Sequence, residues 1–95
     1  MIKRIINVGI LGDFDPNKIS HPATNDAIRH AAKYLTVEAN ITWIPTPSLL
    51  TGERQKSLAV FDCLWASSGS PYQSTAGMIK GIQIAREMDR PFIGT

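Results

Sequence analysis

Apolar residues fall into short runs separated by turn-rich stretches. Positions 5 to 11 are almost continuously apolar, Ile5-Ile6-Asn7-Val8-Gly9-Ile10-Leu11, and break into Gly12-Asp13. A short, β-branched run that leads into turn residues predicts a strand buried on both faces, as in a parallel sheet. A loop with Asp13, Asp15, Pro16, Asn17 and Lys18 follows. At Ser20-His21-Pro22 the period changes. Ala23, Ala27, Ile28, Ala31, Tyr34 and Leu35 recur at helical spacing, with Asp26, Arg29, His30 and Lys33 on the other side. This predicts an amphipathic helix of about four turns. Ser20 is expected to cap it, and Pro22 falls in the first turn, where a missing N–H costs nothing.

Ala39–Ile44 is a second strand candidate, ended by Pro45-Thr46-Pro47, because closely spaced prolines do not fit a central strand. Ser48–Ser57 reads as a polar connection with room for a short helical turn. The third strand is Phe61–Ala66, and it runs out into the turn-rich stretch Ser67–Tyr72. Ser74 or Thr75 caps a second predicted helix, whose buried face is Met78, Ile79, Ile82, Ala85 and Met88. Gly77 and Gly81 weaken that helix by about 1 kcal/mol each relative to alanine, and are expected to let it lie close to the sheet. Arg90-Pro91 ends it, and Phe92-Ile93-Gly94 begins a fourth strand.

The alternation β-α-β-loop-β-α-β predicts an α/β fold: one domain over residues 1–95, an open parallel sheet with helices on both faces. Ligands of such sheets bind beyond the carboxyl ends of the strands. That directs attention to residues 12–20, residues 67–74 and whatever follows Thr95.

Composition narrows the function classes. Apolar residues make up 43% and charged residues 19% of 95, which is globular rather than disordered. The net charge is +2, and five lysines and five arginines are scattered among eight acids without a run. A nucleic-acid partner would need clustered cations, so none is expected. No stretch approaches the roughly 18 apolar residues of a membrane helix, so no membrane partner and a cytoplasmic location are expected. The single cysteine, Cys63, cannot form an internal disulfide.

Candidate chemistry is sparse. Cys63 lies mid-strand between Asp62 and Leu64, whereas a nucleophile belongs on a turn, so it is read as an inert core thiol. His21 is read as a surface or capping residue near the helix start, and His30 as solvent-facing. Asp13 and Asp15 with His21 could form a metal shell, but acids in a Gly-Asp-Phe-Asp-Pro stretch are usually turn formers. No metal site and no cofactor are expected. Gly9-x-x-Gly12 lacks the third glycine of a dinucleotide fingerprint. Trp43 and Trp65 are expected to pack in or against the core. Tyr72 either lines a pocket or packs within its loop.

Two stretches carry a family resemblance. One is Gly9-Ile10-Leu11-Gly12-Asp13-Phe14-Asp15-Pro16 with His21-Pro22-Ala23-Thr24-Asn25. The other is Trp65-Ala66-Ser67-Ser68-Gly69-Ser70-Pro71-Tyr72 with Pro91-Phe92-Ile93-Gly94-Thr95. The pattern, with Trp43-Ile44-Pro45-Thr46 between, resembles the C-terminal glutaminase domain of CTP synthase and stand-alone proteins related to it. The resemblance covers the whole chain but only the N-terminal part of that domain. It implies a class I glutamine amidotransferase-like, flavodoxin-like fold, incomplete at the C-terminus.

In that family the loop after the third strand supplies oxyanion-hole N–H groups and usually reads Pro-Gly-Gly. The matching residues here are Ser68, Gly69 and Ser70. Gly69 is retained, Ser70 replaces the second glycine, and Pro71 removes one N–H. The resemblance therefore implies an oxyanion and substrate loop of Gly69, Ser70 and Tyr72. It also implies a small-molecule substrate, glutamine or a related amide, hydrolysed with release of ammonia. Gly94-Thr95 matches the two residues before the family's nucleophilic cysteine, so the nucleophile is expected just after Thr95, with its histidine and glutamate further on. No catalytic residue is expected within the 95, and the chain alone is expected to be inactive. Some related stand-alone proteins are selenoproteins. The expectation is that the frame ends at a selenocysteine codon replacing the nucleophile, the alternatives being a designed truncation or a natural short gene. A second reading is a non-catalytic binding or assembly module. Four strands leave an unpaired edge and a bare face, which predicts a homo-oligomer.

Overall fold

A computed structural model describes residues 4–68 and 72–94. The elements in chain order are β1 (Arg4–Leu11), α1 (Ser20–Tyr34), β2 (Val37–Ile44), a 3-10 segment (Thr46–Leu50), α2 (Gly52–Ser57), a 3-10 turn (Leu58–Val60), β3 (Cys63–Ala66), α3 (Thr75–Glu87) and β4 (Phe92–Gly94). All strand pairs are parallel, in the order β2-β1-β3-β4. The α/β architecture read from the sequence is the one found. Among the described residues no helix is long and apolar enough to cross a membrane.

The two sheet faces carry separate cores, as the two-residue strand period requires. Leu11, Ile44, Leu64 and Ala66 pack with Leu49, Leu58, Phe61, Met78 and Ala85 on the α3 face. Val8 and Ile10 pack with Ile28 on the α1 face, flanked by Trp43, Cys63 and Trp65. Only the carboxyl half of β1 is fully enclosed. Ile5 at its start is 53% exposed.

The first helix departs from expectation in two ways. Its buried residues are His21, Ile28 and Ala32, whereas Ala23, Ala27, Ala31, Tyr34 and Leu35 are exposed. The buried stripe is rotated from the alanine-rich one: Ile28 packs on Val8 and Ile10, and on the same side Trp43 Nε1–H donates to Asn25 Oδ1 at 2.7 Å. Ser20 does not cap the helix. Its predecessor Ile19 is the N-cap, in helical conformation and without a side-chain bond. The chain enters through tight turns instead, with His21 N–H donating to Lys18 O and Ala23 N–H to Ile19 O. Ser20 itself is helical, and its carbonyl accepts from the Thr24 hydroxyl.

Ser74 caps α3 as expected, its hydroxyl accepting from Gly77 N–H at 3.0 Å. The helix buries Gly77, Met78, Gly81 and Ala85, with Ile82 and Met88 partly covered and Ile79 52% exposed. Gly77 and Gly81 do permit close approach, but mainly to the 3-10 segment. A Cβ on Gly77 would strike the Thr46 carbonyl, and one on Gly81 would meet Leu49 Cδ1 at 2.8 Å and Leu11 Cδ1 at 3.1 Å. The connection read as largely polar is thus structural: Thr46 and Leu49 are fully buried and form the floor on which α3 rests.

Candidate functional site

Strand order reverses between β1 and β3, because the chain leaves β1 toward β2 on one side and returns through β3 on the other. Parallel sheets open a crevice at the carboxyl ends of such a pair. Three segments converge there: residues 12–19 after β1, Pro45-Thr46 after β2, and Ser67, Ser68 and residues 72–74 after β3.

Asp13 holds these segments together. Its Oδ1 accepts from Thr46 N–H at 2.8 Å. Its Oδ2 accepts from the Thr46 hydroxyl at 2.8 Å and from Gln73 N–H at 2.9 Å. The Thr46 oxygen then accepts from Ser74 N–H at 2.8 Å. Burial works against the Asp13 charge. The Gln73 and Thr46 N–H donors, the Thr46 hydroxyl and the Lys18 charge outweigh it and hold the carboxyl below its ordinary value of 3.8. Asp13 offers both oxygens to protein donors. Among the described residues no three His, Cys, Asp or Glu side chains are grouped to hold an ion.

His21 corrects the surface reading. It is 2% exposed, and its ring bridges two loops. Nδ1 accepts from Asp15 N–H at 3.0 Å, so the ring proton sits on Nε2, which donates to Ser68 O at 3.1 Å. Trp43 tilts against the ring at 4.7 Å and Phe14 stacks at 6.1 Å between centroids. Phe14 also meets Trp43 edge-on at 5.1 Å. Gly12, Asp13, Phe14, Trp43, Pro45 and Gln73 line an open cleft of about 220 Å³ beside this cluster.

Of the sequence-predicted site residues, Gly69 and Ser70 lie outside the described residues. Tyr72 packs within its loop: its ring lies against the α3-side core and its hydroxyl donates to Ser67 O at 2.8 Å. Ser67, 1% exposed, carries a hydroxyl without a hydrogen-bond partner, seated where a side chain on Gly12 would lie. His30 is exposed on α1. Cys63 opens β3, half-buried against Val8 and Ile28. Burial and the neighbouring Asp62 charge push its thiol up, the opposite of an activated nucleophile.

Sequence reasoning missed the latch and the bridge. The Asp13–Thr46 pair joins positions 33 apart, and His21–Ser68 joins positions 47 apart. The available signal was the polar Thr46 between two prolines, in a stretch otherwise packed with apolar residues.

No protein-family model matches the chain. It is similar over nearly its whole length to curated CTP synthases. It is 30% identical over 89 residues to that of Carboxydothermus hydrogenoformans, covering 94% of this chain and 17% of the relative. It is 29% identical over 94 residues to that of Saccharolobus solfataricus, covering 97% and 18%. It is 27% identical over 100 residues to that of Campylobacter jejuni, covering 99% and 18%. The chain thus spans less than a fifth of these relatives. Its fold matches the Trypanosoma brucei CTP synthase glutaminase domain solved with bound acivicin, at a TM-score of 0.80 and 18% identity. That match covers 94% of this chain and 35% of the solved one. The resemblance to the CTP synthase glutaminase domain read from the sequence is borne out, and so is the parallel α/β fold.

Proposed function

We infer that the chain frames the amide-binding side of a glutamine amidotransferase-type site and does not itself hydrolyse glutamine. In this reading Gly69 and Ser70 offer backbone N–H groups to the amide carbonyl, and Tyr72 holds their loop from the far side. The observation that carries it is the strand-order reversal between β1 and β3, with the Asp13 latch, Gln73 and Ser74 gathered at its carboxyl end. The similarity to CTP synthases and to a glutaminase domain solved with bound acivicin supports a small-molecule ligand, which this reading takes to be glutamine or a related amide. Hydrolysis needs an activated nucleophile with a base in reach. The one thiol in these 95 residues is a strand thiol with a raised pKa.

Two measurements test the two halves. Titration with L-glutamine, followed by backbone amide NMR, should move the resonances of residues 67–74. Silence there overturns the binding half. Ammonia release from glutamine should stay at the blank rate, and turnover above it overturns the inactive half.

A second reading, an assembly module that forms a homo-oligomer, is favoured by one observation. Val8, Ile28, Ala31, Leu35, Trp65 and Ile93 line an open apolar groove of about 390 Å³ beside α1. Sedimentation over a range of concentrations tests it.

A further inference from the structure

Ser68 and Gln73, both in the stretch between β3 and α3, are each bonded to a side chain from the region between the end of β1 and the first turn of α1. Gln73 N–H donates to Asp13 Oδ2 at 2.9 Å. Ser68 O accepts from His21 Nε2–H at 3.1 Å. Only Asp13 has further partners among the strand ends, since His21 spends its other nitrogen on Asp15 N–H. A peptide group is a rigid plane. A bond to the Ser68 carbonyl therefore restrains the direction in which that peptide group points. The imidazole suits this task. It is 2% exposed, wedged between Phe14 and Trp43, and limited to one tautomer by Asp15 N–H. A donor so confined cannot turn away to water.

We propose that His21 is a positioning residue for Ser68, where the chain leaves β3, acting through the Nε2–H bond to Ser68 O rather than through packing. The assignment deepens the amide-binding reading above and rests on it for the purpose of the loop, not for the bond.

Two variants separate the nitrogens. The amide nitrogen of glutamine reaches as far as Nε2, so His21→Gln keeps a donor for Ser68 O. Asparagine presents its oxygen near the place of Nδ1, so His21→Asn keeps an acceptor for Asp15 N–H and loses the bond to Ser68. Hydrogen exchange on the full chain reads loop opening at Gln73 N–H, the other anchored end. His21→Asn should speed that exchange by roughly fivefold, the factor for one lost net hydrogen bond. His21→Gln should leave it within about twofold of the parent. Equal acceleration in both variants would overturn the proposal, because a packing role predicts that outcome.

Nitrogen-15 spectra of the parent histidine supply a readout that does not depend on either variant folding. They should show a protonated Nε2 and a bare Nδ1, and the reverse tautomer would also overturn the proposal. Titration with L-glutamine distinguishes the two levels. A loop that loosens only in His21→Asn, in a parent whose spectrum ignores glutamine, sustains the positioning role and removes the amide-binding reading.

Discussion

At the scale of single residues, Asp13 gives the most direct check on how the site is held. It accepts from Thr46 N–H, the Thr46 hydroxyl and Gln73 N–H. Asp13→Asn replaces one acceptor oxygen by a donor, which then faces a donor. The expected loss is about 1.5 kcal/mol at neutral pH, in line with a charge-assisted bond at a partly solvated site. The folded carboxyl titrates below its ordinary 3.8. Its contribution is therefore present above that value and lost as the pH falls through the lower folded one. Thermal melts of parent and variant should differ at pH 6, and the gap should narrow as the pH falls below 3.8. A gap that persists unchanged in acid would contradict the charged latch. Thr36 offers an independent check. It joins α1 to β2 with φ at 58°, a left-handed conformation that strains a β-branched residue. Removing strain of about 1–3 kcal/mol at a flexibility cost of about 0.4–1 kcal/mol should make Thr36→Gly more stable by about 1 kcal/mol. For a domain this small the midpoint should rise by about 4–8 °C. Neither residue announces itself in the sequence. Asp13 reads as a turn former, and nothing local says that Thr36 must take a positive φ. Both properties come from what the chain returns to, Thr46 in one case and the start of β2 in the other.

Element existence was legible where hydrophobic runs were strong, and element faces were not. β1, β2, β3 and β4 fall on the predicted apolar runs within a few residues, because a short β-branched run bounded by turn residues is a local pattern that needs no knowledge of partners. The α1 face was misread because alanine is indifferent: Ala23, Ala27 and Ala31 mark a stripe that stays exposed, while His21 and Ile28 define the buried one. The 3-10 segment was invisible as structure, since Thr46-Pro47-Ser48-Leu49-Leu50 has turn composition, yet it is the surface against which α3 packs. That packing predicts a contrast between two glycines on one helix. Helix propensity alone favours Gly→Ala by about 1 kcal/mol at each. At Gly77 the new methyl would strike the Thr46 carbonyl, a backbone atom that the Asp13 latch holds in place. At Gly81 it would meet the ends of Leu49 and Leu11, which can rotate. Gly77→Ala should destabilise by about 2 kcal/mol or more, as overpacking does. Gly81→Ala should change stability by less than about 1 kcal/mol. Chemical denaturation of both variants checks the contrast, and equal effects would mean that α3 shifts rather than resists.

At the scale of the whole molecule, the two sheet faces are unequally covered. On the α3 side the helix, the 3-10 segment and Leu58 of the following 3-10 turn close over the core that includes Phe61 and Leu64. On the other side α1 packs toward β2, with the Asn25–Trp43 bond between them, and leaves β3 and β4 only partly covered. Ile93 is 51% and Leu35 67% exposed along this opening, and Trp65 Nε1–H is buried without an acceptor. An apolar groove of this kind gains about 25 cal/mol for each Å² removed from water. The β4 edge beside it also presents unpaired backbone groups. Both features act in the same direction in a concentrated solution of the isolated chain: a second copy covers the groove and pairs the edge. Stable association needs about 1,200–2,000 Å² of total buried surface, so the groove alone is too small and the edge must take part. The expectation is a sedimentation mass that rises with concentration from 10.4 kDa toward twice that value. Ile93→Lys alters the groove wall and the edge strand together, and should return the chain to monomer without moving its unfolding midpoint at low concentration. Leu35→Lys touches the groove but not the edge, so it should weaken association only in part. A parent that stays monomeric at every concentration would remove the assembly reading and leave the amide-binding one standing alone.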